Sequence, residues 1–235
     1  MAHKNNAVDY FSFSNPFLKL RSKFALRARE KIFYQFMSHM SPTEDCLVLD
    51  MGVTPDCSLP ESNFFEHMYP HTKNITMCTF EDASNLLKVF DGAAFVQMDS
   101  SSRVFPFDDK SFDILFCSAV LEHVGSRENQ AFFIEECLRV AKKIFLTTPN
   151  RWFPVEMHTI IPLIHWLPQG AHRKLLRMLG LDFWAKTENL NLLSAKQLLL
   201  SVPEKHQGLA KIYKHRTLGF VSNLILAYPA QTESA

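Results

Sequence analysis

The stretch FPFDDKSFDILFCSAVLEHV, Phe105–Val124, decides the fold that we predict for this chain. A charged, turn-prone segment at 108–111 leads into an apolar run that starts at Phe112 and is interrupted only by Asp113. A run of about seven strand-compatible residues is typical of a strand buried on both faces, which is the usual state in a parallel sheet. The stretch therefore predicts a central strand of an α/β sheet.

Two polar residues follow this predicted strand at its carboxyl end. They are Glu122 and His123, the sharpest candidates for a catalytic role in the chain. Open α/β sheets bind their ligands outside the carboxyl ends of the strands. A neutral imidazole has a pKa suited to removing a proton from a hydroxyl, so we predict His123 as a general base. A purely structural role for the dipeptide is the alternative.

The residues on either side of this stretch alternate between strand and helix patterns, which favours a parallel, doubly wound sheet. The predicted elements are a helix over 16–40, a strand at Cys46–Asp50, a helix from the capping box Ser58-x-x-Glu61 to about Tyr69, a strand at Ile75–Thr79, a helix at Asp82–Phe90, and strands at Ala94–Gln97 and Phe112–Ser118, then a helix at Glu128–Lys142 and a strand at Lys143–Thr148.

The end of the chain has a different pattern. Two strand-like runs, Lys211–Arg216 and Val221–Tyr228, are joined by a short turn around Gly219, so we expect them to pair antiparallel. Residues 150–205 are predicted to form a mostly helical insertion before this hairpin. The predicted fold class is α/β: a Rossmann-like doubly wound sheet of five parallel strands, a C-terminal antiparallel hairpin, and a helical insertion after the fifth strand.

Composition limits the classes of protein to consider. The 235 residues suit one α/β domain, and 47% hydrophobic with 21% charged residues is ordinary for a soluble globular protein. A formal net charge of +1 gives no electrostatic reason to expect a nucleic-acid partner. The five cysteines form no C-x-x-C pair, which favours reduced thiols and a cytoplasmic location. Without an apolar run of 18 residues, we expect no membrane span.

The stretch Phe105–Val124 resembles the fourth strand of class I S-adenosylmethionine-dependent methyltransferases, including the PF-x-D-x-SFD…LEHV pattern common in their small-molecule branch. The resemblance covers residues 44–150 and extends in outline to the terminal hairpin. It implies S-adenosyl-L-methionine as the cofactor of a single domain over 1–235. The parts of this domain are an N-terminal helical cap (1–43), a cofactor-binding core (44–149), a helical insertion on the substrate side (150–205) and the hairpin (206–235).

The resemblance assigns the loop after the first strand to the cofactor. Asp50 and Gly52 match the first two positions of the family pattern D-x-G-x-G-x-G, but Thr54 and Asp56 replace the later glycines. We therefore predict a loop of different shape in which Asp50 and Gly52 contact the methionine part of the cofactor. The alternative is an ordinary turn in which Asp50 only caps a neighbouring backbone group.

Four further residues are implied as cofactor contacts by their positions in the family pattern. Strict counting places Thr79 at the family's ribose position, so Glu81, two residues later, is the substitute candidate for the ribose hydroxyls, although Glu81 or Asp82 could instead cap the next helix. Asp99 and Ser100 follow the third strand, where the family contacts the adenine, and a simple turn acid is the alternative. Cys117 lies near the end of the fourth strand and is implied as the last contact.

The segment after the fifth strand mixes aromatic, aliphatic and polar residues, a composition that suits the cover of a substrate pocket. We predict that Arg151, Trp152, Glu156 and His158 face the methyl acceptor, and the segment resembles others in this methyltransferase branch. The alternative is that the aromatic residues only pack beneath the insertion and the histidines cap turns. Because the chain has no C-x-x-C pair and no Cys/His cluster, we expect no metal site.

These patterns favour a methyltransferase that acts on a small molecule, through a hydroxyl or amine of a lipid, sugar or secondary metabolite. The missing loop glycines and the displaced ribose acid motivate an alternative, a non-catalytic binding or regulatory protein with the methyltransferase fold. A protein or RNA substrate is a third hypothesis, and the lack of a basic tract argues against RNA. The apolar and basic segment at Ile160–Leu179 allows a peripheral membrane contact, although a solvated face is the commoner outcome.

Overall fold

The computed structural model describes residues 16–59 and 61–229, with side chains described from residue 25 onward. Seven strands run through it: β1 Val48–Met51, β2 Ile75–Thr79, β3 Ala94–Gln97, β4 Phe112–Ser118, β5 Ala141–Pro149, β6 Lys211–Thr217 and β7 Phe220–Tyr228. They form one sheet in the order β3-β2-β1-β4-β5-β7-β6.

Strands β1 to β5 are parallel, whereas β7 pairs antiparallel with β5 and β6 pairs antiparallel with β7. This arrangement confirms the predicted fold class of five parallel strands with a terminal hairpin. The chain runs outward from β1 through β2 to β3 and then returns to β4 on the other side of β1. The carboxyl ends of β1 and β4 therefore flank the point where the strand order reverses, which is where such sheets bind ligands.

The helices that surround the sheet are α1 Pro16–Met40, α2 Phe64–Met68, α3 Arg127–Val140, α4 Gln169–Met178, α5 Ala195–Leu200 and α6 Glu204–Gln207. Single 3₁₀ turns lie at Thr72–Asn74, Ser84–Lys88, Leu121–His123 and Ile164–Trp166. The two long helices that the sequence predicts, α1 and α3, are present. None of the described helices combines the length and the hydropathy that a membrane crossing requires.

The predicted helix that starts at a Ser58–Glu61 capping box is wrong in its start. Helix α2 begins only at Phe64, because Asn63 before it adopts a left-handed backbone conformation with φ of 49°. The backbone N–H of Ser58 instead donates to Oδ1 of Asp56, 2.8 Å away, which forms an Asx turn. Residue 60, inside the predicted box, lies outside the described residues.

The predicted helix at Asp82–Phe90 is wrong in length. Only the 3₁₀ turn at Ser84–Lys88 forms, and Oδ1 of Asp82 accepts the backbone N–H of Ser84 at 3.0 Å. A short polar side chain that bonds to the backbone two residues later competes with helix formation.

The insertion at 150–205 is less helical than the sequence predicts. Turns separate its short helices, and Pro154, Pro162 and Pro168 lie in or beside these turns. Proline has no backbone N–H to donate and fixes φ, so it interrupts a continuing helix. The insertion therefore consists of short helices, α4 and α5 among them, that turns separate, rather than a continuous helical layer.

An aromatic cluster holds α1 and α2 against one face of the sheet. The ring of Phe36 packs edge-on to Phe116 of β4 at 5.5 Å between centroids, and Phe65 of α2 stacks on Phe116 at 4.2 Å. Buried rings of this size contribute large apolar area and fix orientation through their edge-to-face geometry. As a result, polar residues of α1 and α2 lie beside the carboxyl ends of β1 and β4.

Candidate active site

The loop after β1 passes very close to the turn after β4. Gly52 has φ of +105° and its backbone N–H donates to the carbonyl oxygen of Cys78 over 2.7 Å. A Cβ added to Gly52 would lie 2.1 Å from Cγ2 of Val120, well inside van der Waals contact. Glycine is required here both for its backbone conformation and for this close approach.

Asparagine side chains support the loop where the family pattern has glycines. The backbone N–H of Thr54 donates to Oδ1 of Asn63 at 3.0 Å, and Nδ2 of Asn63 donates back to the carbonyl of Thr54 at 2.8 Å. Nδ2 of Asn85 donates to the carbonyl of Pro55 at 3.0 Å. These bonds give the loop a defined shape of its own, and the sequence analysis missed both asparagines.

A cavity of about 110 Å³, here called the β1 cavity, lies between this loop, α1 and α2. Three carboxyl side chains line it: Glu61 at 6% exposure, and the interacting pair of Asp50 at 6% and Glu66 at 1%. Burial raises the pKa of Asp50 well above its ordinary value, and the neighbouring Glu66 carboxyl raises it further. Burial also raises the pKa of Glu66, and a hydrogen bond that the protonated Asp50 donates to it partly opposes this rise. The two acids therefore form a buried acceptor pair that favours a proton or an ammonium group between them.

A cation lines the same cavity. Arg29 extends from α1, and its guanidinium donates to the backbone carbonyl of Glu61 and lies 5.4 Å from the ring centre of Phe64. A guanidinium and a pair of carboxyls lining one small cavity complement a zwitterionic amino-acid group, with its carboxylate towards Arg29 and its ammonium towards the acids. The sequence analysis missed Arg29 and Glu66, since no local pattern distinguishes either from neighbouring charged residues.

The substitution Asp50→Asn is expected to raise the free energy of unfolding at about pH 8 and to have a much smaller effect at about pH 4. In the folded state the pKa of Asp50 lies above its ordinary value of 3.8. The free energy of unfolding is therefore highest below that pH and falls as the pH rises through and above it. Asparagine cannot ionise and removes this loss. Urea unfolding of the wild type and of Asp50→Asn at the two pH values measures the difference. A variant that is less stable than the wild type at the higher pH would contradict the raised pKa of Asp50.

A larger cavity of about 540 Å³, here called the apolar cavity, opens beside the β1 cavity. Arg29, Glu61 and Ser118 line both cavities, so the two spaces adjoin along this boundary. The remainder of the apolar cavity is lined mainly by aliphatic and aromatic side chains, among them Ala28, Ile32, Phe153, Val155, Met157 and Ile160. Its size and composition suit a small, largely apolar ligand.

Two histidines meet beside this apolar cavity. The Nε2 atoms of His123 and His158 lie 3.1 Å apart, and the rings are almost perpendicular at 87°. His123 Nδ1 lies 2.6 Å from the carbonyl oxygen of Asn189, and His158 Nδ1 lies 2.6 Å from Oε1 of Glu156. Each ring is thus held at its outer nitrogen, and the two inner nitrogens face each other.

Glu156 is a buried anchor for His158. Burial alone would raise the pKa of this carboxyl, but hydrogen bonds with the side chain and backbone of His158 and with Thr159 lower it to about 2. Its Oε2 accepts both the backbone N–H and the hydroxyl of Thr159, at 2.7 and 2.8 Å. The carboxylate is therefore ionised at neutral pH and fixes the orientation of the His158 ring.

Glu122 lies under the histidine pair and is fully buried, at 0% exposure. Its Oε2 accepts the hydroxyl of Thr148 at 3.0 Å, while its Oε1 has no hydrogen-bond donor. Oε1 lies 3.9 Å from Nε2 of His123. The dipeptide that follows β4 therefore directs both of its polar side chains to one place.

The other predicted cofactor residues lie away from both cavities. Glu81, Asp99 and Ser100 are exposed beyond the carboxyl ends of β2 and β3. The oxygens of Asp99 accept the side-chain hydroxyl and the backbone N–H of Ser101, which lowers its pKa. Cys117 is buried in the core, and burial raises the pKa of its thiol, so only its backbone can face a ligand.

The structure separates the four predicted substrate residues into two groups. Glu156 and His158 line the apolar cavity. Arg151 lines a different, smaller cavity of about 20 Å³ beside His165 and His172. Trp152 is 50% exposed, and the Arg151 guanidinium lies 5.4 Å from its ring centre. Arg151 and Trp152 are thus not among the residues that line the apolar cavity.

The sheet order, the terminal hairpin and the site beside β1 and β4 define the fold class of Rossmann-like methyltransferases. Residues 66–144 match a family described as a methyltransferase domain. The matched region covers about a third of the chain and, together with the fold, supports the resemblance to class I S-adenosylmethionine-dependent methyltransferases.

Individual known proteins resemble this chain in sequence over part of its length and in fold over most of its length. The chain is 33% identical over 94 residues to the ubiquinone biosynthesis O-methyltransferase of Coxiella burnetii (strain RSA 493 / Nine Mile phase I), a match that covers 37% of this chain and 39% of that protein. The fold is similar to geranyl diphosphate C-methyltransferase from Streptomyces coelicolor A3(2), with a TM-score of 0.53 and 12% identity over 94% of this chain and 88% of that one. It is also similar to the PH0226 protein from Pyrococcus horikoshii OT3, with a TM-score of 0.53 and 14% identity over 87% and 91% of the two chains.

Proposed function

We propose that this protein transfers a methyl group from S-adenosyl-L-methionine to a hydroxyl of a small, largely apolar molecule. One observation carries the proposal: the polar β1 cavity adjoins the apolar cavity, and the apolar cavity is lined by His158, whose ring contacts His123. A methyl donor in the first cavity and an acceptor in the second would be held close together, which supplies much of the catalysis in a displacement reaction.

We assign the methionine end of the cofactor to the β1 cavity. Asp50 and Glu66 would accept hydrogen bonds from its ammonium group, and Arg29 would attract its carboxylate, while the absent side chain of Gly52 leaves room at the loop. The nucleoside would extend along the carboxyl ends of β2 and β3 towards Glu81, Asp99 and Ser100, with the backbone of Cys117 as a further contact. These four positions are the implication of the family pattern.

The reaction is an in-line displacement at the sulfonium methyl group. A lone pair of the acceptor oxygen forms the new bond to the methyl carbon, and the carbon–sulfur bond breaks with its electrons passing to sulfur, which yields S-adenosyl-L-homocysteine. The hydroxyl must also lose its proton, and His123 is the residue to which we assign its removal. Glu156 acts as a positioning residue, because it holds the ring of His158 against His123.

Two observations support a small, largely apolar alcohol as the acceptor: the lining of the apolar cavity and the relative that matches part of this chain. Aliphatic and aromatic side chains around the apolar cavity would bind the body of the molecule, while the imidazoles would receive its hydroxyl. The matched relative carries the name of an O-methyltransferase, which supports oxygen over nitrogen as the methylated atom. Arg151 and Trp152 would contact only a part of the acceptor that extends beyond the apolar cavity.

All five cysteines are unpaired, including the partly exposed Cys46 and the exposed Cys57. Disulfides persist in oxidising compartments and are rare where thiols are kept reduced. This supports our proposal that the protein works in the cytoplasm.

The proposed reaction is tested by incubating the purified protein with methyl-labelled S-adenosyl-L-methionine and a panel of small phenols and aliphatic alcohols. We expect label in a methyl ether of at least one acceptor, together with an equal amount of S-adenosyl-L-homocysteine. The matched control is the ready-made methyl ether of each acceptor, which has no hydroxyl and should take no label. Transfer to amines but not to hydroxyls would contradict the proposed chemistry.

A further inference from the structure

Three potential metal ligands converge beside the apolar cavity. One ligand atom each from Glu122, His123 and His158 lies within 4.8 Å of the other two. The first two residues belong to the 3₁₀ turn Leu121–His123 after β4, and the third comes from the loop after β5. No metal site is predicted from the sequence, since 34 residues separate His123 from His158 and no local ligand spacing connects them.

Hydrogen bonds at the outer nitrogens determine the tautomers of both rings. A carbonyl oxygen and a carboxylate can only accept, so Nδ1 of His123 donates to Asn189 and Nδ1 of His158 donates to Glu156. In a neutral imidazole the other nitrogen then carries a lone pair. With both rings neutral, two lone pairs face each other across 3.1 Å, and either a proton shared by the two nitrogens or a metal ion bound by both makes this contact favourable.

The third ligand atom is a buried carboxylate oxygen that lacks a donor. Oε1 of Glu122 has no hydrogen-bond partner, although the residue is fully buried and its other oxygen is bonded to Thr148. Such an oxygen costs free energy when it faces neither a donor nor a cation. It lies on the same side as the two imidazole lone pairs, 3.9 Å from Nε2 of His123.

We propose that Glu122, His123 and His158 bind a divalent transition-metal ion through Oε1 and the two Nε2 atoms. Two imidazoles with one carboxylate suit zinc or ferrous iron, and at zinc–nitrogen distances the 3.1 Å separation gives an N–metal–N angle of about 100°. The outer nitrogens of metal-binding histidines are usually held by a carbonyl or a carboxylate, which here are Asn189 and Glu156.

The remaining coordination position would face the apolar cavity, which Glu122 and His158 line. Three protein ligands and one open position are typical of catalytic rather than structural zinc sites. In a role that rests on the proposed function, the open position takes the hydroxyl oxygen of the acceptor and lowers its pKa, so that the proton passes to solvent. In the metal-bound site His123 is a metal ligand, and solvent rather than His123 accepts the proton of the acceptor hydroxyl.

Zinc binding to tag-free, chelator-treated protein tests the site directly by calorimetry, with the visible spectrum of bound Co²⁺ as a second readout. We expect one ion per chain, an affinity at least 100-fold weaker in His158→Ala, and a loss of about 10–100-fold in Glu156→Gln, which keeps all three ligands. His71→Ala, a histidine distant from the cluster in the 3₁₀ turn region before β2, is the matched control and should bind like the wild type. Equal zinc affinity in the wild type and His158→Ala overturns the proposal.

The same metal-free preparations are also titrated with S-adenosyl-L-methionine, so that the two proposals can fail separately. If the protein binds the cofactor but not zinc, the proposed methyltransferase function stands and the proposed metal site is wrong. If it binds zinc but not the cofactor, the metal site stands and the proposed function is wrong. Far-ultraviolet circular dichroism of each variant identifies a misfolded protein, and His158→Gln then replaces His158→Ala in the comparison.

Discussion

His123→Ala is expected to slow methyl transfer by about 10²–10⁴-fold while the affinity for S-adenosyl-L-methionine stays nearly unchanged. The ring of His123 faces His158 on the acceptor side of the site, whereas the cofactor is assigned to the β1 cavity, which His123 does not line. Its side chain is 35% exposed, so its removal leaves no large internal void. Turnover and cofactor affinity measured on the same preparation separate a loss of chemistry from a loss of binding.

His71→Ala is the matched control for this substitution, because it removes an imidazole that contacts neither cavity. It should retain the turnover of the wild type. Full turnover in His123→Ala would show that the histidine pair has no part in the reaction. A parallel fall in cofactor affinity and turnover would instead indicate that the substitution disrupts the loop after β4.

Gly52→Ala is expected to lower the free energy of unfolding by about 2–5 kcal/mol. The first contribution is the positive φ of +105°, a conformation that side chains with a Cβ rarely adopt. The second is a clash, since the new Cβ would lie 2.1 Å from Cγ2 of Val120. Because Val120 is β-branched, it cannot simply rotate away, and the loops after β1 and β4 must separate. Urea unfolding measures the loss.

Gly180→Ala is the matched control for the clash. Gly180 has a similar positive φ of +72°, but nothing lies within 4 Å of a Cβ placed on it. It should lose only the backbone contribution, about 1–2 kcal/mol. The double substitution Gly52→Ala with Val120→Ala should recover part of the difference. Equal losses in Gly52→Ala and Gly180→Ala would mean that the close approach of the two loops contributes nothing.

The sequence predicts the sheet far better than it predicts the short helices. The bounds of β2, β3 and β4 agree with the runs Ile75–Thr79, Ala94–Gln97 and Phe112–Ser118. β2 and β4 lie inside the sheet and are largely buried, and a buried parallel strand is apolar along most of its length. Helix starts depend instead on backbone details, such as the left-handed Asn63, that no residue pattern reports. The short helix α2 is stabilised mainly by packing of its phenylalanines, which is a tertiary effect.

Some residues of the candidate site can be predicted from the sequence, and others cannot. A pattern next to β4 predicts His123, and a mixed polar and aromatic segment predicts Glu156 and His158. The 3.1 Å approach of the two histidines depends on how the loop after β5 folds over the sheet, which is not a local property. Arg29 and Glu66 enter the site only because aromatic packing places α1 and α2 beside β1, so no motif could have revealed them.

Calorimetric titration with S-adenosyl-L-methionine and S-adenosyl-L-homocysteine tests the central claim most directly. Asp50→Asn is the informative variant, since we expect it to stabilise the fold at neutral pH, and Asp108→Asn, an exposed acid outside both cavities, is its control. We predict binding of both compounds by the wild type and by Asp108→Asn, and about 10–100-fold weaker binding by Asp50→Asn. Well-folded wild-type protein that binds neither compound would contradict the account and favour a non-catalytic protein with the methyltransferase fold.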